Sequence, residues 1–205
     1  MNARVVGAAA VAAGLLAAGG VADAAARPKP VCNQLVDVTG DGNPNAAGFA
    51  PVGPSHDPLD IVSGDIASGP RNLVVAIRLK SLTPDLTLSG GVVYRATWQV
   101  GKATQDVALY VLDDGSQRAV FRPDTTDTFG TVPVAVATVP SASTILFTIP
   151  RRADKALTPK ASISGIEMTT AIAFNHGTNT TSTGADRGTT PRKYVDGYPT
   201  CLKGV

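Results

Sequence analysis

Residues 92–100 read Val-Val-Tyr-Arg-Ala-Thr-Trp-Gln-Val, and their alternation decides the fold class. Tyr94, Ala96, Trp98 and Val100 fall on one face of an extended chain, while Arg95, Thr97 and Gln99 fall on the other. A period of two over this length is a strand with one face against a core. The pattern recurs on both sides. Upstream, 72–79 puts Leu73, Val75, Ile77 and Leu79 together as a half-buried strand. Before it, 59–63 is a shorter strand and 31–38 a candidate first one. Downstream, strands are expected at 107–112, 117–122, 132–139, 144–149 and 163–174, the last as one long strand or two. Ser68-Gly69-Pro70, Gly101-Lys102 and Asp113-Asp114-Gly115 supply turns between them. Segments 39–58 and 175–192, rich in Gly and in Asn or Thr, read as loops. Past the N-terminal stretch, nothing sustains a helical period. The expected fold is all-β: a single antiparallel β-sandwich, jelly-roll or immunoglobulin-like.

The composition agrees. Glu167 is the only Glu among 16 acidic residues. Asp favours turns and caps where Glu favours helix. The ends of the chain add a compartment. Arg4 precedes an apolar run from Val5 to Val21, and Ala22-Asp23-Ala24 and Ala24-Ala25-Ala26 are small-residue exits. That order is a secretory signal over 1–26, leaving 27–205 as one β-sandwich domain. The signal takes one base and one acid with it, Arg4 and Asp23, so the net charge stays at +2. So weak a balance predicts no strong attraction to nucleic acid or anionic lipid, and no nucleic-acid partner is expected. The expected location is extracellular, with no membrane contact after cleavage. In an oxidising compartment Cys32 and Cys201 are expected to pair, closing nearly the whole mature chain into one loop.

The sharpest motif is Asp37-Val38-Thr39-Gly40-Asp41-Gly42-Asn43. Oxygen side chains fall at alternate positions with Gly at the bend, a spacing that wraps a hard cation such as calcium. Asp37, Thr39, Asp41 and Asn43 are the candidate ligands, with Asp60 or Asp57 supplying what the loop lacks. Gly48 stands where an EF-hand loop carries its closing carboxylate. The competing reading is an Asx/Gly turn in which Asp41 bonds local N–H groups. The stretch resembles the first half of an EF-hand or dockerin loop and the turn of integrin-type repeats.

A wider order of motifs runs from Cys32 through Asp37-x-x-Gly40-Asp41, Pro58-Leu59-Asp60-Ile61 and Asp65. It continues through the 73–79 strand and Thr144-Ile145-Leu146-Phe147-Thr148-Ile149-Pro150-Arg151 to Tyr198-Pro199-Thr200-Cys201. It resembles secreted actinobacterial β-sandwich proteins and, more remotely, family 9 carbohydrate-binding modules and DOMON-like domains. The resemblance implies a sugar-binding or accessory role with structural calcium. In such modules aromatic rings clamp the sugar. Here Trp98 is the only indole, and its place on the apolar face of a strand points to the core.

Neither a G-x-S-x-G elbow nor an H-E-x-x-H motif occurs, and His56 and His176 stand in loop-like contexts. The expectation is a non-enzymatic binding or accessory module for a polysaccharide or cell-envelope polymer, or for an exported protein. A second reading is an interaction or inhibitor domain that uses the 175–192 loop, and a hydrolase is a third.

Overall fold

The computed structural model describes residues 34–42, 57–82, 91–112, 114–127, 130–158, 161–176, 179–190 and 194–195. Within them the strands are β1 (Leu35–Val36), β2 (Ile61–Ser68), β3 (Asn72–Leu79), β4 (Gly91–Val100), β5 (Ala103–Val111) and β6 (Gln117–Arg122). They continue as β7 (Val132–Pro133), β8 (Ala135–Val139), β9 (Thr144–Pro150), β10 (Ser162–His176), β11 (Asn179–Thr190) and β12 (Tyr194–Val195). A five-stranded antiparallel sheet has the order β1-β2-β3-β9-β8, and a second sheet runs β11-β10-β4-β5-β6-β7, with β12 beside the start of β10. The two sheets pack face to face. The all-β sandwich expected from the alternation is what forms.

The alternating residues meet as predicted. Leu73, Val75, Ile77 and Leu79 of β3, with Ile145, Phe147 and Ile149 of β9, face Tyr94, Ala96 and Trp98 of β4, Val107 and Leu109 of β5 and Phe121 of β6 in one apolar core. Trp98 is fully buried and stacks on Phe121 with ring centroids 6.1 Å apart. Its indole N–H donates to Gln105 Oε1 at 2.8 Å, and the Gln105 amide donates onward to Asp154. Gln105 is itself fully buried. Trp98→Phe therefore keeps the stack but strands a buried acceptor. It should cost about 1–3 kcal/mol in denaturant unfolding. A cost below about 0.5 kcal/mol would show that water replaces the indole.

Four expectations need correction. Residues 132–139 form not one strand but two in different sheets, β7 and β8, parted at Val134. β2 begins at Ile61, after a 3-10 turn over Asp57–Leu59, and runs on to Ser68 instead of spanning 59–63; Gly64 leaves the room that Met168 of β10 fills. A Cβ on Gly64 would overlap the Met168 sulfur. β3 is not half-buried: Val74 and Ala76 are as sheltered as its core-facing residues, since β3 lies between β2 and β9. The expected 175–192 loop is mostly β11, paired with β10 from Ile166↔Thr190 to His176↔Asn179. Threonine, β-branched, suits an edge strand even where no apolar alternation announces one. The reading of 175–192 as a protruding interaction loop thereby loses its premise. Cys32, Cys201, His56, Asn43 and Gly48 lie outside the described residues.

Candidate metal centre

The chain's first described turn is pinned from three directions. Gln34 behaves as an extra rung on β2: its side-chain amide donates to Ile66 O and accepts from Ile66 N, both at 2.8 Å. Its own N–H donates to Asp65 Oδ1 at 2.9 Å. Asp65 is fully buried and is paired with Arg78 at 2.7 Å. Asp37 N then donates to Val62 O, and the chain bends at Thr39-Gly40. Gly40 has φ +100°, a conformation that costs glycine nothing. Its N–H donates to Asp60 Oδ2 at 2.7 Å. Gly42 lies so close to the start of β2 that a Cβ there would sit 2.5 Å from the Asp60 Cα.

β11 brings the third direction. Its pairing with β10 slips at Thr170/Ala171, where Asp186 opposes Thr170 and Gly184 opposes Ala171, so Ala185 is extra. A bulge of this kind re-aims the neighbouring side chain. Asp186 points inward and is buried. It accepts from Ile61 N and from Arg187 N, each at 2.6 Å. Thr170 Oγ1 donates to Leu59 O at 2.6 Å beside it. The start of β2 in one sheet is thus bonded to β10 and β11 of the other.

These supports bring ligand oxygens of Asp41, Asp60 and Asp186 within 4.8 Å of one another. Asp37 borders them: a Cβ on Gly188 of β11 would meet Asp37 Oδ2 at 2.8 Å. Asp37 Oδ2 and Asp41 Oδ1 are buried oxygens without a hydrogen-bond donor among the described residues. Burial raises the Asp186 pKa to about 7. The Ile61 N–H opposes the rise, and the charges of Asp37 and Asp41 add to it. The Asp37 pKa is raised as well, by burial first, with contributions from Asp41 and Asp60. Crowded carboxylates that resist ionisation are what a cation would relieve.

Of the residues proposed as ligands from the sequence, Asp41 and Asp60 converge and Asp37 borders them. Thr39 is exposed in the turn. Asp57, the alternative outer ligand, pairs with Lys80 at 2.8 Å instead. Asp186 is the member that sequence reasoning missed. Its one local signal is a lone acid in Gly184-Ala185-Asp186-Arg187-Gly188, inside an otherwise uncharged Thr-rich stretch. Compared with family models, curated proteins and solved structures, the chain matches none of them.

Proposed function

We propose that this chain is a secreted, non-catalytic binding or accessory module whose sandwich is locked at one side by a calcium ion. Convergence of Asp41, Asp60 and Asp186 is the observation that carries the reading. Oxygens each about 2.4 Å from one calcium ion lie at most about 4.8 Å apart, and these three meet that limit. Asp37 is the fourth candidate, and its orphaned oxygen, like that of Asp41, suits a ligand rather than a turn. A hard, oxygen-only set favours calcium over zinc. The ion would join the 37–42 turn, the start of β2 and β11, and so fasten the two sheets to each other.

The role of these carboxylates supports a structural task. Asp60 and Asp186 hold backbone N–H groups of Gly40, Ile61 and Arg187. The remainder of the proposal follows from sequence: cleavage after Ala26, export, a Cys32–Cys201 bridge, and a sandwich of jelly-roll or immunoglobulin-like type. A polysaccharide or an exported protein is the ligand class that suits a released module.

The test is a thermal melt of the mature protein in excess chelator and then in calcium. Calcium at a hundredfold excess over its dissociation constant adds about 2.7 kcal/mol, or roughly 5–10 °C for a domain of this size. Asp41→Asn should abolish most of the rise while changing the chelated melt little, because its Oδ1 has no donor to lose among the described residues. A midpoint that ignores calcium in the wild type would reduce the motif to an Asx/Gly turn.

A further inference from the structure

The far side of the sandwich poses a separate question. Each sheet has two edges, and among the described residues three of the four are blunted. β1 and β7 are two residues long, and β7 carries Pro133. β11 carries Asp186, Arg187, two glycines and a bulge. β8, Ala135–Val139, differs: five regular residues, no charge, no glycine, and a described partner on one side only, β9. Ala135, Ala137 and Thr138 are exposed. Natural proteins protect such edges with charge, proline or bulges. Here the prolines stand outside the strand, at Pro133 and Pro140, and frame it.

The same segment carries the chain from one sheet to the other. Val132 opposes Phe121 in the second sheet, Val136 opposes Phe147 in the first, and Val134 N bonds Ala119 O between them. Val132, Val134 and Val136 pack on the core yet stay only partly buried. Core-facing valines are thus partly open to solvent along this edge.

We propose that β8 is a self-association edge. A second copy of this chain adds its own β8 antiparallel, joining two five-stranded sheets and covering the Val132–Val134–Val136 rim of both copies. Charge selects this occupant. An antiparallel twofold pairing centred on Ala137 sets that residue against its own copy and its neighbours close to theirs, so a charge near the axis would meet its like. The sequence from Thr128 to Pro150 has none. One strand pair with its rim is a modest contact, so the dimer is weak and concentration-dependent.

Sedimentation velocity on the mature protein, from about 1 µM to 1 mM, tests this. The wild type should pass from monomer to dimer. Ala137→Lys and Thr138→Lys, made separately so that a folding defect in one leaves the other to decide, should each weaken the dimer at least tenfold with an unchanged melt. Thr189→Lys, on the opposite edge, should leave it intact. Three results would overturn the proposal: a wild type monomeric throughout, lysine variants that dimerise as the wild type does, or a dimer broken only by Thr189→Lys. A monomer whose β8 instead binds a foreign extended peptide would overturn it too and reassign the edge to that partner.

Discussion

Stripped of divalent cations, the protein is expected to be more stable at pH 5 than at pH 8, the reverse of what a surface rich in paired carboxylates gives. Asp186 causes the inversion. Its folded pKa, raised to about 7 from the ordinary 3.8, means that the native state holds a proton which the unfolded chain releases. Stability falls with pH wherever the native state binds more protons. The loss therefore runs from about pH 4 up to about pH 7 and is complete above it. Between pH 5 and pH 7 it amounts to roughly 2 kcal/mol, the slope of about 1.4 kcal/mol per unit fading as the folded pKa is reached. Asp37, raised in the same direction, adds to it. Asp114 and Asp124, whose pKa values are lowered by Ser116 and Thr126, titrate below this window and do not oppose it. Calcium should reverse the slope, because it binds the ionised carboxylates and must displace the Asp186 proton to do so. Asp186→Asn should flatten the chelated profile and remove the calcium-dependent reversal. Melts across this pH range, with and without chelator, decide it. A chelated protein that gains stability from pH 5 to pH 8 would show Asp186 ionised like any surface carboxylate.

Arg122→Met should destabilise the protein by about 3 kcal/mol, whereas Asp106→Asn should cost about 1 kcal/mol. These residues are partners, so the asymmetry comes from where each sits. Asp106, on the outer face of β5, is 1% exposed. It accepts from Arg122 Nε at 2.8 Å and from its Nη2, and Arg95 Nε stands 3.4 Å away. Without Arg122 a buried carboxylate keeps, among the described residues, only that longer contact. Without the carboxylate, Arg122 and Arg95, 25% and 32% exposed, turn their heads to water. The double variant Asp106→Leu with Arg122→Met should recover much of the loss, since replacing both partners removes the buried charge. Urea midpoints of the three variants give the comparison, and equal costs for the two single changes would mean that water already reaches Asp106.

Much of the fold was legible because a strand with one buried face writes its period into the sequence. Residues 92–100, 144–149 and 72–79 show it in sequence, and in 144–149 and most of 92–100 the buried and exposed positions follow it. β11 did not show it. An edge strand can be held by its ladder to β10, so Thr, Asn and Gly suffice where a central strand needs apolar residues. The site was legible to the same degree. Asp41 and Asp60 stand out because a Gly-rich acidic turn and a strand entry are local signals. Asp186 stands near the other end of the chain from Asp41, and only the bulge in β11 and the packing of the two sheets bring it there.

The order of strands in the first sheet also sets an order of events in time. β4, β5 and β6 form a meander whose turns join Val100 to Ala103 and Val111 to Gln117, so it needs only neighbouring chain. β3 finds its second neighbour in β9, through a register from Asn72↔Pro150 to Arg78↔Thr144, with the whole meander lying between the partners in sequence. Distant pairings close slowly. While β3 waits, the meander presents Trp98, Val107 and Phe121 uncovered, and a newly made chain is most vulnerable to sticking to its neighbours in that interval.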